Sequence, residues 1–379
     1  SLTERKKLIV EMRYFKKYSN RDIAAKLNLT EEYICSLKNN AVNQILDLLY
    51  TKFNMNNLRN IAENINSLGI FKGSIKYDEP LKNYTTFKVG GKARVFAEPE
   101  NAESLEFLLG ELSKAKVPSF ILGGGSNLVP QDEDLECFVI STKNLNKVYY
   151  QNGKGKGDFV LFAEAGASIK SITDFCVENS FSGLENFGGL PGSVGGACYM
   201  NARCYETSFS DVLISVKYLD FENNEKTGFS IPVVKEYFFD IEDWDYKKSP
   251  FQNTKKVILQ VALRVKAGNQ AEIKENTDHF VKDREEKGHF KFPSAGSVFK
   301  NNRDFGKPSG KIVDECGLRG NAVGDAQIAP WHGNFIINRE NASAQDIRTL
   351  VENTKMTVAE KTGFNLECEI LFVDGGIVR

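Results

Sequence analysis

Two stretches, ILGGGSNLV at 121–129 and GGLPGSVGG at 188–196, hold the backbone to side-chain-free paths that few folds require. Glycine loses more freedom on folding than any other residue, so five in the nine positions of the second stretch need a compensating reason. Close approach is a reason open to both. Consecutive backbone N–H groups can surround a small anion, with Ser126 and Ser193 adding hydroxyls and Asn127 an amide. Two such loops in one chain point to a pyrophosphate gripped from two sides. Neither stretch reads GxxxxGK followed by Ser or Thr, which excludes a P-loop. Neither reads GxGxxG opening a helix with an acidic residue about 20 positions on, so an ordinary Rossmann site is unsupported.

Around these loops the pattern is mixed α/β. ARVFAEP reads as a strand, NAESLEFLLGELSKAK as an amphipathic helix, and PSFIL as a strand running into the first glycine turn. KVYYQNGKGKGDFVLFAEAGAS predicts a hairpin with NGKGKGD at its tip. Further strands are expected at DVLISVKYLDFENN, VILQVALRVKAG, GNFIINRE and LECEILFV, with helices at SIKSITDFCVENS, 272–286 and SAQDIRTLVENTKMTVAEKTG. At 379 residues the chain has room for two or three domains.

Charge and cysteine usage narrow the class. A net charge of −1 gives no global pull toward nucleic acid or a membrane, and no run of about 18 apolar residues marks a span. Seven scattered cysteines without a CxxC predict reduced thiols, and the basic N-terminus lacks a signal-peptide pattern. The expectation is a cytoplasmic protein. Only three histidines are present, His279, His289 and His332, so a multi-histidine metal site is not expected.

Residues 1–50 differ in character. They carry no glycine, and Ile23, Leu27, Ile34 and Leu37 fit two short helices, the second from about Thr30 to Ala41, after which TKFNMNNLRNIAENINSLGIF at 51–71 continues as helix into the next unit. This resembles a helix-turn-helix, with Lys16, Lys17, Arg21, Lys26 and Lys38 able to meet phosphates. A helical appendage that packs on the main body or on a second copy fits the same pattern.

The remainder, from about Glu79 to Val373, resembles the UDP-N-acetylenolpyruvoylglucosamine reductases of peptidoglycan precursor synthesis. The motifs that carry the resemblance are EPLKNYTTFKVGGKA, ILGGGSN, AGAS, GLENFGGLPGSVGGACYMNA, YKKSPF, PSAGSVFKN, SGKIVDECGLRG, DAQIAPWHGNFIINRENASAQD and LECEI, in that order. The compact connection between Phe251 and Ser294 resembles the branch without a substrate-covering tyrosine loop. The resemblance implies an α+β chain: a PCMH-type FAD-binding fold of two subdomains (53–145 and 146–270), then a C-terminal α/β substrate domain (271–379). The last strand is free to return to the FAD domain, and an all-α module (1–52) precedes the whole. FAD would be held non-covalently by Gly123, Gly124, Gly125, Ser126, Asn127, Gly188, Gly189, Gly192, Ser193, Gly195 and Gly196, with Asn201 near the cleft mouth.

The implied reaction has two steps. NADPH gives a hydride to FAD; the flavin then gives it to C3 of the enolpyruvyl group of UDP-N-acetylglucosamine enolpyruvate. That addition leaves negative charge at C2, which needs stabilisation and a proton. By resemblance, Ser297 in GSVFK is the proton donor, with Lys300 a nearby cation, and Glu369 in LECEI assists at C2. Strand alternation sets Glu367, Glu369, Leu371 and Val373 on one face. The family arginine of YRxSxF is replaced here by Lys247, which keeps the charge but lacks the bidentate fork. Arg284, Lys287 and Asn301 match substrate-binding positions, and His332 reads as structural. The preference for NADPH over NADH comes from the resemblance alone. Two other readings remain open: a flavin oxidase or dehydrogenase of the same fold, and a DNA-binding flavin sensor using residues 1–50.

Overall fold

The computed structural model describes residues 3–224 and 228–378, the side chains of 43–56, Asn224 and Val378 apart. The chain separates into two units, 1–60 and 61–379.

In the first unit, helix Glu4–Val10 runs into a π-helical turn, Glu11–Phe15, and is followed by helix Asn20–Leu27 and a helix from Glu31. Ser19 starts the second of these through a reciprocal capping box with Asp22. Asn28 ends it in the left-handed region at φ +53°, and the Thr30 hydroxyl accepts the Tyr33 N–H to start the next. Ile9, Met12, Ile23, Ala24 and Ile34 form a small core, the arrangement expected of a helix-turn-helix. The last helix does not stop near Ala41 but spans Glu31–Ser67. No glycine or proline interrupts 31–67, so nothing local breaks the hydrogen-bond ladder at residue 52 either.

The second unit contains three larger sheets. The first orders Gly73–Pro80, Lys92–Pro99, Leu135–Ser141 and Ser119–Leu122 side by side, antiparallel at the first pairing and parallel thereafter. Helix Ala102–Ala115 makes the crossover, burying Leu105, Leu108, Leu109 and Leu112 at helical spacing. The second sheet is antiparallel, in the order Phe229–Phe238, Leu213–Asn224, Val257–Ala267, Asp158–Glu164, Val148–Asn152. Its last two strands are the predicted hairpin, with 153–157 at the tip. Helix Gln270–Glu286 packs on this half, against Glu185–Phe187 and helix Ile169–Glu178.

The third sheet joins Ser294–Ser297, Phe335–Asn338, Ala326–Ile328 and Ala322–Val323. Helix Ala344–Thr362, opened by a Ser343–Asp346 capping box, buries Ile347, Leu350, Val351 and Val358. The chain then returns: Leu371–Asp374 pairs in parallel with Leu128–Pro130, at the end of the first glycine stretch. That return brings the C-terminal strand to the loops near residue 125.

Candidate active site

The two glycine stretches meet each other before they meet anything else. A Cβ on Gly124 would stand 2.5 Å from the Gly192 Cα and 2.7 Å from the Ser193 nitrogen, so both positions exclude a side chain. The Gly124 N–H donates to the Ser193 hydroxyl (3.2 Å), which also accepts the Gly196 N–H, and the Ser126 hydroxyl donates to the Pro191 carbonyl. Gly125 takes φ +62°, and a Cβ there would lie 1.9 Å from the Tyr84 carbonyl oxygen. The amides of Gly125, Ser126 and Asn127 give no hydrogen bond to an acceptor among the described residues. Gly123, Gly124, Gly125, Gly192, Gly195 and Gly196 line one cleft of about 3000 Å³.

Gly188 and Gly189 differ from the sequence expectation: they are not in the cleft wall. A Cβ on Gly188 would come within 2.7 Å of the Thr277 carbonyl oxygen, and one on Gly189 within 2.9 Å of the Arg284 Cδ. These two glycines let helix Gln270–Glu286 close against the loop.

Further along the cleft three distant segments converge. Gly296, at φ +73°, makes a bulge in the strand Ser294–Ser297 and so re-aims Ser297 into the cleft. No hydrogen bond to the Ser297 hydroxyl is present among the described residues. The segment after Ser297 pairs with the C-terminal strand: the Glu369 N–H donates to the Val298 carbonyl, and Phe299 bridges Cys368. Glu369 therefore enters beside Ser297, while Cys368, Ile370 and Phe372 pack into the core behind. Glu367 points outward and holds the Lys300 ammonium. Lys300 is thus engaged away from Ser297, a correction to the sequence expectation.

Lys247 comes from a third direction. It occupies a tight turn, Asp245–Lys248, at φ +58°, and its Nζ lies 2.5 Å from Glu369 Oε1. Both side chains are about one-tenth exposed, 10% and 14%. A pair so withdrawn from water leaves an uncompensated charge if either partner is removed. Lys248, by contrast, is exposed.

Arg284 is buried at 8% exposure. Its Nε donates to the Gly188 carbonyl (3.1 Å) and its Nη2 to the Cys204 sulfur (3.2 Å). Burial pushes the Cys204 thiol up, against the opposing pull of Arg284 and Lys247. Lys287 pairs with Asp283 at 2.6 Å, and Arg284 and Lys287 both face the Tyr205 ring. The Asn301 side chain accepts the Ser309 N–H and starts the helix Ser309–Glu315, so its amide serves the fold while the residue lines the cleft. His332 stacks on Phe335 and accepts the Asn334 N–H at Nδ1, a structural arrangement.

His289 packs edge-on to the same Phe335 ring, and burial, reinforced by Arg284, lowers it to about 4. An unfolded histidine titrates near 6.5, so between about 6.5 and 4 the unfolded chain binds the extra proton. Stability therefore falls as pH drops through that window. Thermal melts should show this as a loss of about 2–4 °C that His289→Gln removes; an identical pH profile in the variant contradicts it.

Sequence reasoning missed Gln252, Cys204 and the use of the Asn127 amide, which donates to the Glu369 carbonyl at 2.8 Å. Residues 127 and 369 are too far apart in sequence for any local pattern to link them. Among the described residues no cluster of His, Cys, Asp and Glu is fit to hold a metal. None of their helices is long and apolar enough to cross a membrane.

Residues 288–373 match the model of the UDP-N-acetylenolpyruvoylglucosamine reductase C-terminal domain, residues 93–225 an FAD binding domain, and residues 1–47 Sigma-70 region 4. A Treponema denticola UDP-N-acetylenolpyruvoylglucosamine reductase is 46% identical over 330 residues, covering 84% of this chain and 98% of that protein. The Borreliella burgdorferi enzyme of the same name is 41% identical over 294 residues, covering 77% of this chain and 92% of its own. The crystal structure of the Thermus caldophilus UDP-N-acetylenolpyruvylglucosamine reductase superposes with a TM-score of 0.62 at 30% identity, covering 80% of this chain and 99% of the other. The fold is α+β, a PCMH-type FAD-binding fold joined to the C-terminal domain of these reductases. With its glycine cradle and the Ser297, Lys247 and Glu369 cluster on one cleft, the chain belongs to the UDP-N-acetylenolpyruvoylglucosamine reductase family.

Proposed function

We propose that this protein reduces UDP-N-acetylglucosamine enolpyruvate to UDP-N-acetylmuramate, with FAD as hydride carrier and NADPH as reductant. The observation that carries the reading is the meeting of Ser297, Lys247 and Glu369 beside the glycine cradle. The residues present fit FAD. Gly123 to Asn127 and Gly192 to Gly196 form a wall free of bulky side chains apart from Val194, whose own side chain is buried in the core. The free amides of Gly125, Ser126 and Asn127 suit a diphosphate. At about 3000 Å³, the cleft exceeds the roughly 300–1,000 Å³ of a single small-ligand site and accommodates a dinucleotide with a nucleotide sugar. When bound, FAD supplies the hydride transfer itself.

The protein's part is charge and proton management. Hydride arrival at C3 of the substrate leaves an enolate across C2 and the carboxylate. Lys247 donates one of its three N–H groups to Glu369, leaving two for the developing oxyanion. Ser297 delivers the proton to C2, and Glu369 orients Lys247 and assists that transfer. Arg284 and Lys287 supply positive charge for the nucleotide diphosphate. Steady-state turnover tests the reading: NADPH consumption that depends on the enolpyruvyl sugar, with UDP-N-acetylmuramate as product, supports it. Consumption that depends only on oxygen overturns it.

A second reading concerns residues 1–60, which carry eleven Lys and Arg against six Asp and Glu in a chain of net charge −1. With their likeness to Sigma-70 region 4, this favours a DNA-binding module over a self-association surface. A gel shift with the full chain tests it. Retardation of duplex DNA that fades with added salt supports the reading, and none at low salt overturns it.

A further inference from the structure

We propose that Asn201 and Gln252 are positioning residues that hold Lys247 in contact with Glu369, an inference that rests on the role of Lys247 given above. Lys247 is difficult to place. Its left-handed backbone is one that residues with a Cβ rarely adopt, and its long stem has many rotamers. Something must select the one arrangement that puts Nζ on Glu369.

Two buried or half-buried amides do so. Asn201 is 2% exposed and itself lies at φ +41°. Its Oδ1 accepts the Ser210 N–H (3.0 Å) and its Nδ2 donates to the Asp245 carbonyl (2.9 Å). The same carbonyl accepts the Lys248 N–H (3.0 Å), so the turn that presents Lys247 is fixed at its first residue. Gln252 Nε2 donates to the carbonyl of Lys247 itself (3.1 Å) and to that of Tyr199 (2.9 Å). Ser249 adds a bond to the Tyr199 carbonyl (2.7 Å). Every tie leads back to residues 199–210, which follow directly on the second glycine stretch.

The other half of the pair is tied to the first stretch. Asn127 donates to the Glu369 carbonyl and accepts the Leu371 N–H at 2.9 Å. Glu369 is therefore held by the first loop and Lys247 by the segment that follows the second, and the two loops touch at Gly124 and Gly192. The ion pair and the glycine cradle form one hydrogen-bonded frame. Asn201 and Gln252 act through Lys247 and are not catalytic residues.

The test is a mutant cycle on the FAD-loaded enzyme, reading reoxidation of reduced flavin by the enolpyruvyl sugar without oxygen. Gln252→Leu removes the bonds to the Lys247 and Tyr199 carbonyls, and a long contact to the Met200 sulfur, while keeping the volume. It is expected to slow reoxidation about tenfold and leave flavin reduction by NADPH unchanged. In a Lys247→Ala background the same change should add less than about twofold, because the group it positions is gone. Asn201→Asp keeps the acceptor for Ser210 and replaces the donor to Asp245 with a carboxylate oxygen that repels that carbonyl; it should slow reoxidation likewise and serves where Gln252→Leu fails to fold. An undiminished rate in both single variants overturns the positioning role. So does an effect that persists in full in the Lys247→Ala background. If Lys247→Ala alone reoxidises at the parent rate, the role of Lys247 falls, and the positioning role with it.

Discussion

Ser297→Ala is expected to slow reduction of the enolpyruvyl sugar by about 10²–10⁴-fold while NADPH still bleaches the flavin at the parent rate. The split follows from where the hydroxyl stands. Ser297 is aimed into the cleft by the Gly296 bulge, beside the carboxylate that enters through the pairing of Glu369 with Val298. Its hydroxyl has no hydrogen-bond partner to lose among the described residues, so alanine leaves no broken network behind. The fold and the flavin content should therefore survive. Only the step that needs a proton at C2 should suffer. Equal losses in both half-reactions would assign Ser297 to cofactor binding instead.

Gly124→Ala is expected to yield a protein that purifies with little flavin and is less stable by about 1–3 kcal/mol. The added carbon would meet only backbone, the Gly192 Cα and carbonyl carbon and the Ser193 nitrogen, all within 2.7 Å. No rotamer relieves such a contact; the loops must part. Parting them breaks the bond from the Gly124 N–H to Ser193 and disturbs the amides offered to a diphosphate. Gly196→Ala is the control, because a Cβ there meets only the Ser193 hydroxyl at 3.4 Å. It should keep its melting temperature. A yellow Gly124→Ala protein with parent stability, judged by flavin absorbance and thermal melt, would contradict this account of the loops.

The glycine stretches were legible as backbone crowded by something, but their sequence did not say by what. Most of Gly124's neighbourhood is the other stretch, and Gly188 and Gly189 face helix Gln270–Glu286. A glycine required by a helix and one required by a ligand look alike in sequence. Periodic elements read well: the hairpin Val148–Asn152 with Asp158–Glu164, and helix Ala344–Thr362 with its capping box. Alternation separated Glu369 from Cys368, Ile370 and Phe372, although the regular strand is only Leu371–Asp374 and Val373, expected on Glu369's face, is buried against the first sheet. What sequence could not supply was partnership across the fold. Lys300 is close to Ser297 along the chain yet engages Glu367, and Lys247 reaches Glu369 only because a turn places it at positive φ. Local propensity disfavours such a turn, so tertiary hydrogen bonds from Asn201 and Gln252 must impose it. The helix expected over 51–71 is present as far as Ser67; what differs is the break after Ala41, which is absent because no glycine or proline interrupts 31–67.

The most direct test of the central claim is anaerobic. The flavin of the purified protein is reduced with one equivalent of NADPH, and UDP-N-acetylglucosamine enolpyruvate is then added while the flavin absorbance is followed. Rapid return of the oxidised spectrum is the expected result, and it would show that Lys247 suffices beside Glu369. A flavin that stays bleached until air is admitted would contradict the reductase assignment.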